Sequence, residues 1–300
     1  LVRSRGLGDV YKRQPYTQTG YKHFHAPVIP DEVEHQGFYT QEDIKEIVAY
    51  AEKRYVTIIP EIELPGHSSA AVAAYPELSC GIKKEYEVVK NFGIFDNVFC
   101  PKETTFQFLD DVFTEVAALF PGKYIHIGGD ECPKTAWKQC KHCQLLIKKL
   151  QLKDESSLQS YFIHRVEKIL NNKGKQLIGW DEILEGGLAP NSTVMSWRGE
   201  RGGIEAAQAG HPVIMIPNAD TYLNYYQEDP EFAPVGSGSF LPMEQVYRFN
   251  PLSTLLKGKL SQYVLGTEAA LWTPYMKNPQ IVDYYCLLYT SPSPRDRTRS

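Results

Sequence analysis

From residue 41 onward the chain alternates between two hydrophobic periods. Residues 41–54 place Ile44, Ile47, Val48 and Ala51 at helical spacing, and a β-branched run follows at 56–62. Residues 104–120 return to the helical period, after which 124–128 reads as a strand. Two helical stretches, 134–150 and 156–171, precede a strand at 176–180. Further strands are expected at 193–197, 212–216 and 263–266, with a short helix at 203–209 between the first two. Strands that alternate with helices form parallel sheets through right-handed crossovers, so the expected class is α/β. The pattern yields six strands where a closed (β/α)8 barrel has eight, which leaves a sheet that is either open or two strands short.

Each expected strand ends in polar or aromatic residues. Glu61 and Glu63 close the first, Asp130 and Glu131 the second, and Trp180 with Asp181 and Glu182 the third. Trp197 with Arg198, Asn218 with Asp220, and Glu268 with Trp272 follow the others. Decoration on one side marks the catalytic rim of a barrel. The run His126-Ile127-Gly128-Gly129-Asp130-Glu131 is the most informative, because two adjacent carboxylates cannot continue a buried strand without desolvating both charges, at about several kcal/mol each. The pair therefore belongs at the mouth, where the Gly-Gly break lets the two side chains address different atoms. The competing structural role is a helix cap ahead of Pro133.

Composition narrows the function. A net charge of -4 with both signs mixed throughout offers no basic stripe for nucleic acid or anionic lipid. No apolar stretch approaches the ~20 residues a membrane helix needs. The 19 Tyr and 4 Trp suit a sugar cleft, and equally a large core with tyrosines at its edge. The six cysteines, Cys80, Cys100, Cys132, Cys140, Cys143 and Cys286, do not form a disulfide scaffold in a chain of this size. Cys140-Lys141-His142-Cys143 lacks the second pair that a structural zinc site needs, so it is read as a helix bearing two thiols. Residues 1–14 and 286–300 are Arg- and Ser-rich, without periodicity, and look like non-native adapter sequence, leaving 15–285 as one partial barrel domain.

Four motifs in this order carry a resemblance: Pro60-Glu61-Ile62-Glu63-Leu64-Pro65-Gly66-His67, His126-Ile127-Gly128-Gly129-Asp130-Glu131, Gly179-Trp180-Asp181-Glu182 and Leu271-Trp272. Together they resemble the family 20 glycoside hydrolases, the β-N-acetylhexosaminidases, over residues 19–285. The resemblance implies a (β/α)8 TIM-type barrel whose first two strands would precede Tyr16, so that about six of eight are present. A barrel open in this way exposes two sheet edges, and the chain alone is expected to be unstable or to aggregate. The implied activity is exo-hydrolysis of terminal β-linked GlcNAc or GalNAc, in which the sugar's own 2-acetamido oxygen attacks C1 and an oxazolinium intermediate forms. On this reading Glu131 is the acid and then the base, and Asp130 orients the acetamido group and stabilises its charge. The resemblance places Trp180, Trp197 and Trp272 around the acetamido methyl, Tyr222 on its carbonyl, and His67, Glu63 and Asn224 among the substrate-binding residues. His126 reads as a core residue beneath the dyad and Trp137 as packing. No cofactor or metal is implied, and the expected partners are N-acetylhexosamine-containing glycans.

Three positions depart from the family pattern: Glu63 and Asn224 stand where Asp is usual, and Pro274 where a Glu usually grips the sugar hydroxyls. The resemblance implies a secreted, periplasmic or lysosomal protein. Two other functions compete. One is a two-carboxylate retaining glycosidase with Glu61, Glu63 or Glu268 as nucleophile, and the other a sugar-binding barrel with impaired catalysis. Metal hydrolysis by His126, Asp130 and Glu131 is disfavoured, since consecutive strand residues point apart and match no common zinc or magnesium spacing.

Overall fold

The computed structural model describes residues 37–83, 85–89, 93–229, 232–234, 236–237, 239–273 and 279–285. Its centre is a parallel six-stranded sheet in simple sequence order: β1 Glu61–Leu64, β2 Tyr124–Gly128, β3 Gln176–Trp180, β4 Thr193–Ser196, β5 Val213–Met215 and β6 Val264–Thr267. Each strand lies beside its sequence neighbour, the winding of a (β/α)8 barrel, and the sheet is an incomplete barrel of that type. Among the described residues β1 and β6 are its two edges.

Helices cover one face: α1 Gln41–Glu52, α2 Ser69–Ala74, α3 Glu103–Leu119, α4 Thr135–Gln139, α5 Lys141–Lys149, α6 Glu155–Asn172 and α7 Arg201–Gln208. Thr40 opens α1 with a capping box, its hydroxyl accepting from the Asp43 N–H while Asp43 accepts from the Thr40 N–H. Asp154 caps α6 through the Ser157 N–H at 2.9 Å. The apolar stripe of α6, Phe162, Ile163, Val166 and Leu170, packs with Phe106, Leu109 and Phe113 of α3 over Ile125, Ile127 and Leu177. Fully burying one such side chain contributes about 1.5–3 kcal/mol.

Strand alternation sends the other set inward. Ile178 and Trp180 of β3 and Met195 of β4 join Ile216, Tyr222, Tyr225 and Leu241 in a separate cluster, and the His126 ring lies 4.7 Å from that of Trp180. This inner face leads to the rim where the strands end.

The structure departs from the sequence pattern in two places. The run at 56–59 forms no strand, with the Val56 N–H turned back to the Ala51 carbonyl at 3.0 Å, and the sheet begins beside Pro60, whose carbonyl accepts from the His126 N–H at 2.9 Å. The single helix expected over 134–150 breaks at Cys140, whose φ of -82° and ψ of 114° end α4 and start α5. Between β3 and β4, where the sequence pattern names no helix, the chain forms the short 3-10 turn Asp181–Leu184. Residues 1–14, Pro274 and Cys286 lie outside the described residues.

Candidate active site

Glycines build the loop that follows β2. Gly128 and Gly129 have φ of +67° and +94°, and Glu131 itself sits at +43°. A Cβ on Gly128 would lie 1.6 Å from Glu63 Oε1, so the approach of the Glu63 carboxyl requires glycine there. A non-glycine residue at positive φ costs about 1–3 kcal/mol and persists only where its surroundings over-determine it. Gln159, buried on α6, donates to the Gly129 carbonyl at 2.7 Å. Lys134 donates to Gln159 Oε1 and, at 2.7 Å, to the Cys132 carbonyl. The Gly129 N–H donates to Glu63 Oε1 at 3.2 Å. The loop is thereby tied on both sides of the dyad.

His67 arrives from the turn after β1 and meets both carboxylates. Its Nε2 lies 3.4 Å from Asp130 Oδ2 and 3.2 Å from Glu131 Oε2. Those hydrogen bonds, to Asp130 first and then to Glu131, raise the imidazole to about 10, so His67 is an imidazolium at neutral pH. The ligand atoms of His67, Asp130 and Glu131 lie within 4.8 Å of one another, close enough for a cation. In the arrangement seen here the imidazolium charge of His67 balances the two acids. Neither carboxylate caps α4, whose N-cap residue is Lys134 without a side-chain cap.

The other oxygen of Asp130 is the informative atom. Oδ1 is buried and has no hydrogen-bond partner among the described residues. A buried carboxylate oxygen left unpaired is costly, and a hydrogen-bond donor brought to Oδ1 would remove that cost.

An aromatic wall stands on the same rim. Trp197 stacks on Tyr222 with centroids 6.3 Å apart and planes 16° apart, and Trp272 lies 6.4 Å from Tyr222 and 6.1 Å from Trp180. Trp180 and Tyr222 are buried, whereas Trp272 is 42% exposed and forms the open side. Burial pushes the Tyr222 hydroxyl well above its ordinary value, and the nearby negative charge of Asp130 adds to this.

Polar groups hold these rings. Glu61 Oε1 accepts the Trp180 indole N–H at 2.9 Å, and Glu182 Oε2 accepts that of Trp197 at 2.9 Å. Burial pushes Glu182 up to about 7, and Arg198 counters it from 3.5 Å while pairing with buried Asp181 at 2.6 Å. Asn224 has its side chain committed internally: Nδ2 donates to Ser237 Oγ, and Oδ1 accepts from the Trp272 backbone N–H at 3.3 Å. It anchors the Trp272 segment. His126, inside β2, is buried, with Nδ1 3.0 Å from the Gly128 N–H and 3.2 Å from Glu61 Oε1. Trp137 is fully buried and donates to the Phe99 carbonyl at 3.0 Å.

The structure thus brings Asp130, Glu131, His67 and Glu63 together, with Trp180, Trp197, Tyr222 and Trp272 in a contiguous group. Sequence reasoning missed Gln159 and Lys134, which carry no motif, and saw Asp181, Glu182 and Arg198 only as rim residues.

Glu63 yields a stability prediction. Burial first, then the charges of Asp130 and Glu61, holds its carboxyl well above the ordinary 4.5. An acid whose folded value is raised destabilises the fold progressively as pH climbs above its unfolded value. Glu63→Gln keeps the acceptor for Gly129 and removes the ionisation. Its melting temperature should match that of the unaltered protein near pH 4.5 and exceed it at pH 7.5. A lower melting temperature at pH 7.5 would show that Glu63 is held as a stabilising anion.

Comparisons with known proteins converge on one family. The model of the glycosyl hydrolase family 20 catalytic domain matches residues 12–288. A beta-hexosaminidase of Porphyromonas gingivalis is 53% identical over 256 residues, covering 85% of this chain and 33% of that protein. One from Vibrio furnissii is 39% identical, covering 83% of this chain and 42% of its own length. The crystal structure of the family 20 exo beta-N-acetylglucosaminidase of Vibrio harveyi in complex with N-acetylglucosamine superposes with a TM-score of 0.74 at 34% identity, over 87% of this chain and 41% of that one. The chain therefore spans between a third and about two fifths of the length of these relatives.

Proposed function

This chain belongs to glycosyl hydrolase family 20, and from that premise we propose that it carries the catalytic centre of an exo-acting β-N-acetylhexosaminidase. The reaction is hydrolysis of terminal β-linked GlcNAc or GalNAc with net retention. The bond to C1 is made by the carbonyl oxygen of the substrate's 2-acetamido group, and the glycosidic oxygen leaves with a proton from Glu131. Positioning an internal nucleophile replaces a bimolecular encounter, a contribution of about 7–11 kcal/mol in well-oriented systems. Glu131 then removes the proton of the water that opens the cyclic intermediate.

The observation that carries this reading is the buried, unpartnered Oδ1 of Asp130 beside Glu131. It supplies an acceptor for the acetamido N–H, and its charge opposes the positive charge that develops on the intermediate. The wall of Trp180, Trp197, Tyr222 and Trp272 suits the acetamido methyl and excludes water. A two-carboxylate mechanism finds less support. Burial and the charges of Asp130 and Glu61 push the Glu63 carboxyl well above its ordinary value, and Glu61 is engaged with Trp180 and His126.

Substrates that differ only at C2 test the proposal. A full-length form should release p-nitrophenol from the 2-acetamido β-glucoside at least about 1,000-fold faster, in kcat/KM, than from the 2-hydroxy β-glucoside. Comparable rates on the two would remove the substrate's amide from the mechanism.

A further inference from the structure

The Cys140-x-x-Cys143 pair acquires in space the second pair that local sequence does not provide. Cys80, after the 3-10 turn Pro76–Leu78, and Cys100, just ahead of α3, converge on the N-terminus of α5. The Sγ atoms of Cys80 and Cys143 are 3.7 Å apart, those of Cys100 and Cys143 3.6 Å, and those of Cys100 and Cys140 4.0 Å. All four lie within 4.8 Å of one another. A disulfide needs about 2.05 Å between sulfurs, so none is formed here. Four thiolates at about 2.3 Å from one tetrahedral zinc ion stand about 3.8 Å from each other. The observed separations cluster about that value.

We propose that Cys80, Cys100, Cys140 and Cys143 form a tetrathiolate site for one structural zinc ion. A closed set of four sulfurs is the ligand field of structural zinc, with no position left for substrate. Cys100, Cys140 and Cys143 are buried among Val98, Ala136, Trp137 and Leu158, so no water competes from the core side. Cys80 is half-buried and lines a cleft of about 150 Å³ that gives the ion an entry path. Each cysteine binds as thiolate and releases its proton to solvent.

The ion would add a link between two connections already joined by packing, by the Trp137 indole N–H on the Phe99 carbonyl at 3.0 Å and by the His142 ring 3.1 Å from the Pro101 carbonyl. Cys80 and Cys100 bracket residues 81–99, between β1 and α3. Cys140 and Cys143 follow the Asp130–Glu131 loop. That bracketed segment also supports the catalytic turn, since Ser68, beside His67, donates to the Asn97 carbonyl at 3.2 Å, and Phe99 N–H donates to the Pro65 carbonyl at 3.0 Å. The break of the helix falls on Cys140 itself, whose sulfur lies 4.0 Å from that of Cys100.

Metal content of the full chain, purified under reducing conditions without chelator, tests the site independently of activity. The expected result is about one zinc per chain by plasma mass spectrometry. Cobalt exchanged into it should show a thiolate-to-metal charge-transfer band and tetrahedral d–d intensity. Cys80→Ser, the substitution least disruptive to the core, should weaken zinc retention against a competing chelator by more than about 100-fold, beyond the loss typical of residues that merely support a ligand. Cys132→Ala, outside the cluster, should leave it unchanged. A folded chain with no zinc and free thiols overturns the proposal, as do two disulfides by intact mass, iron in place of zinc, or a cobalt spectrum of octahedral intensity. The cobalt signature keeps the test decisive if the variants fail to fold.

Discussion

Glu131→Gln should lower kcat/KM for an unactivated N-acetyl-β-glucosaminide by about 100- to 10,000-fold, the range that positioned proton transfer contributes. Glu and Gln share size and tolerance of the +43° φ at this position, so the loop should keep its shape and the protein its melting temperature. Leaving-group dependence identifies the role. A p-nitrophenolate leaves without much protonation, so the first step should suffer much less with that substrate than with an alkyl glycoside. Equal losses on both would mean that Glu131 is not the acid.

Asp130→Asn should slow the same reaction by about 100- to 1,000-fold, the loss seen when one preorganised electrostatic contact to a developing charge is removed. The mechanism differs from that of Glu131, so the pattern should differ as well. Asn can still accept the acetamido N–H but no longer opposes the charge on the intermediate, and one of its amide orientations presents a donor in place of the acceptor. The loss should therefore be similar for good and poor leaving groups. It should also fall mainly on kcat, because the charge exists only on the way to and in the intermediate. Steady-state kinetics on a p-nitrophenyl and an alkyl glycoside check both points. A rise in KM at constant kcat would make Asp130 a ground-state binding residue.

The strands were legible because a buried parallel sheet writes itself as short apolar runs between helical periods, each closed by polar residues. β2, with Gly128-Gly129 ahead of Asp130 and Glu131, could be placed from sequence together with the rim position of the two carboxylates. The start of β1 could not, because Val56, Thr57, Ile58 and Ile59 have strand composition, and only the neighbour's hydrogen bonds decide that pairing begins at Glu61. The helix break at Cys140 has no glycine or proline to announce it. The aromatic wall was visible as separate tryptophans after strands, whereas the groups that aim them, Glu61 for Trp180 and Glu182 for Trp197, depend on distances between strands. Gln159, a buried amide on a helix face, had no local signal at all. The clustering of four cysteines was invisible for the same reason: Cys80 and Cys100 lie far from Cys140 and Cys143 in the chain, and a spacing rule sees only neighbours.

The claim that the substrate's amide oxygen forms the bond to C1 is tested most directly by weakening that oxygen. A series of aryl β-glucosaminides bearing acetyl, monofluoroacetyl, difluoroacetyl and trifluoroacetyl groups on the 2-nitrogen varies its nucleophilicity with little change in size. kcat/KM should fall stepwise with every added fluorine. A rate that stays flat across the series would place the bond-forming oxygen on the protein and contradict the account.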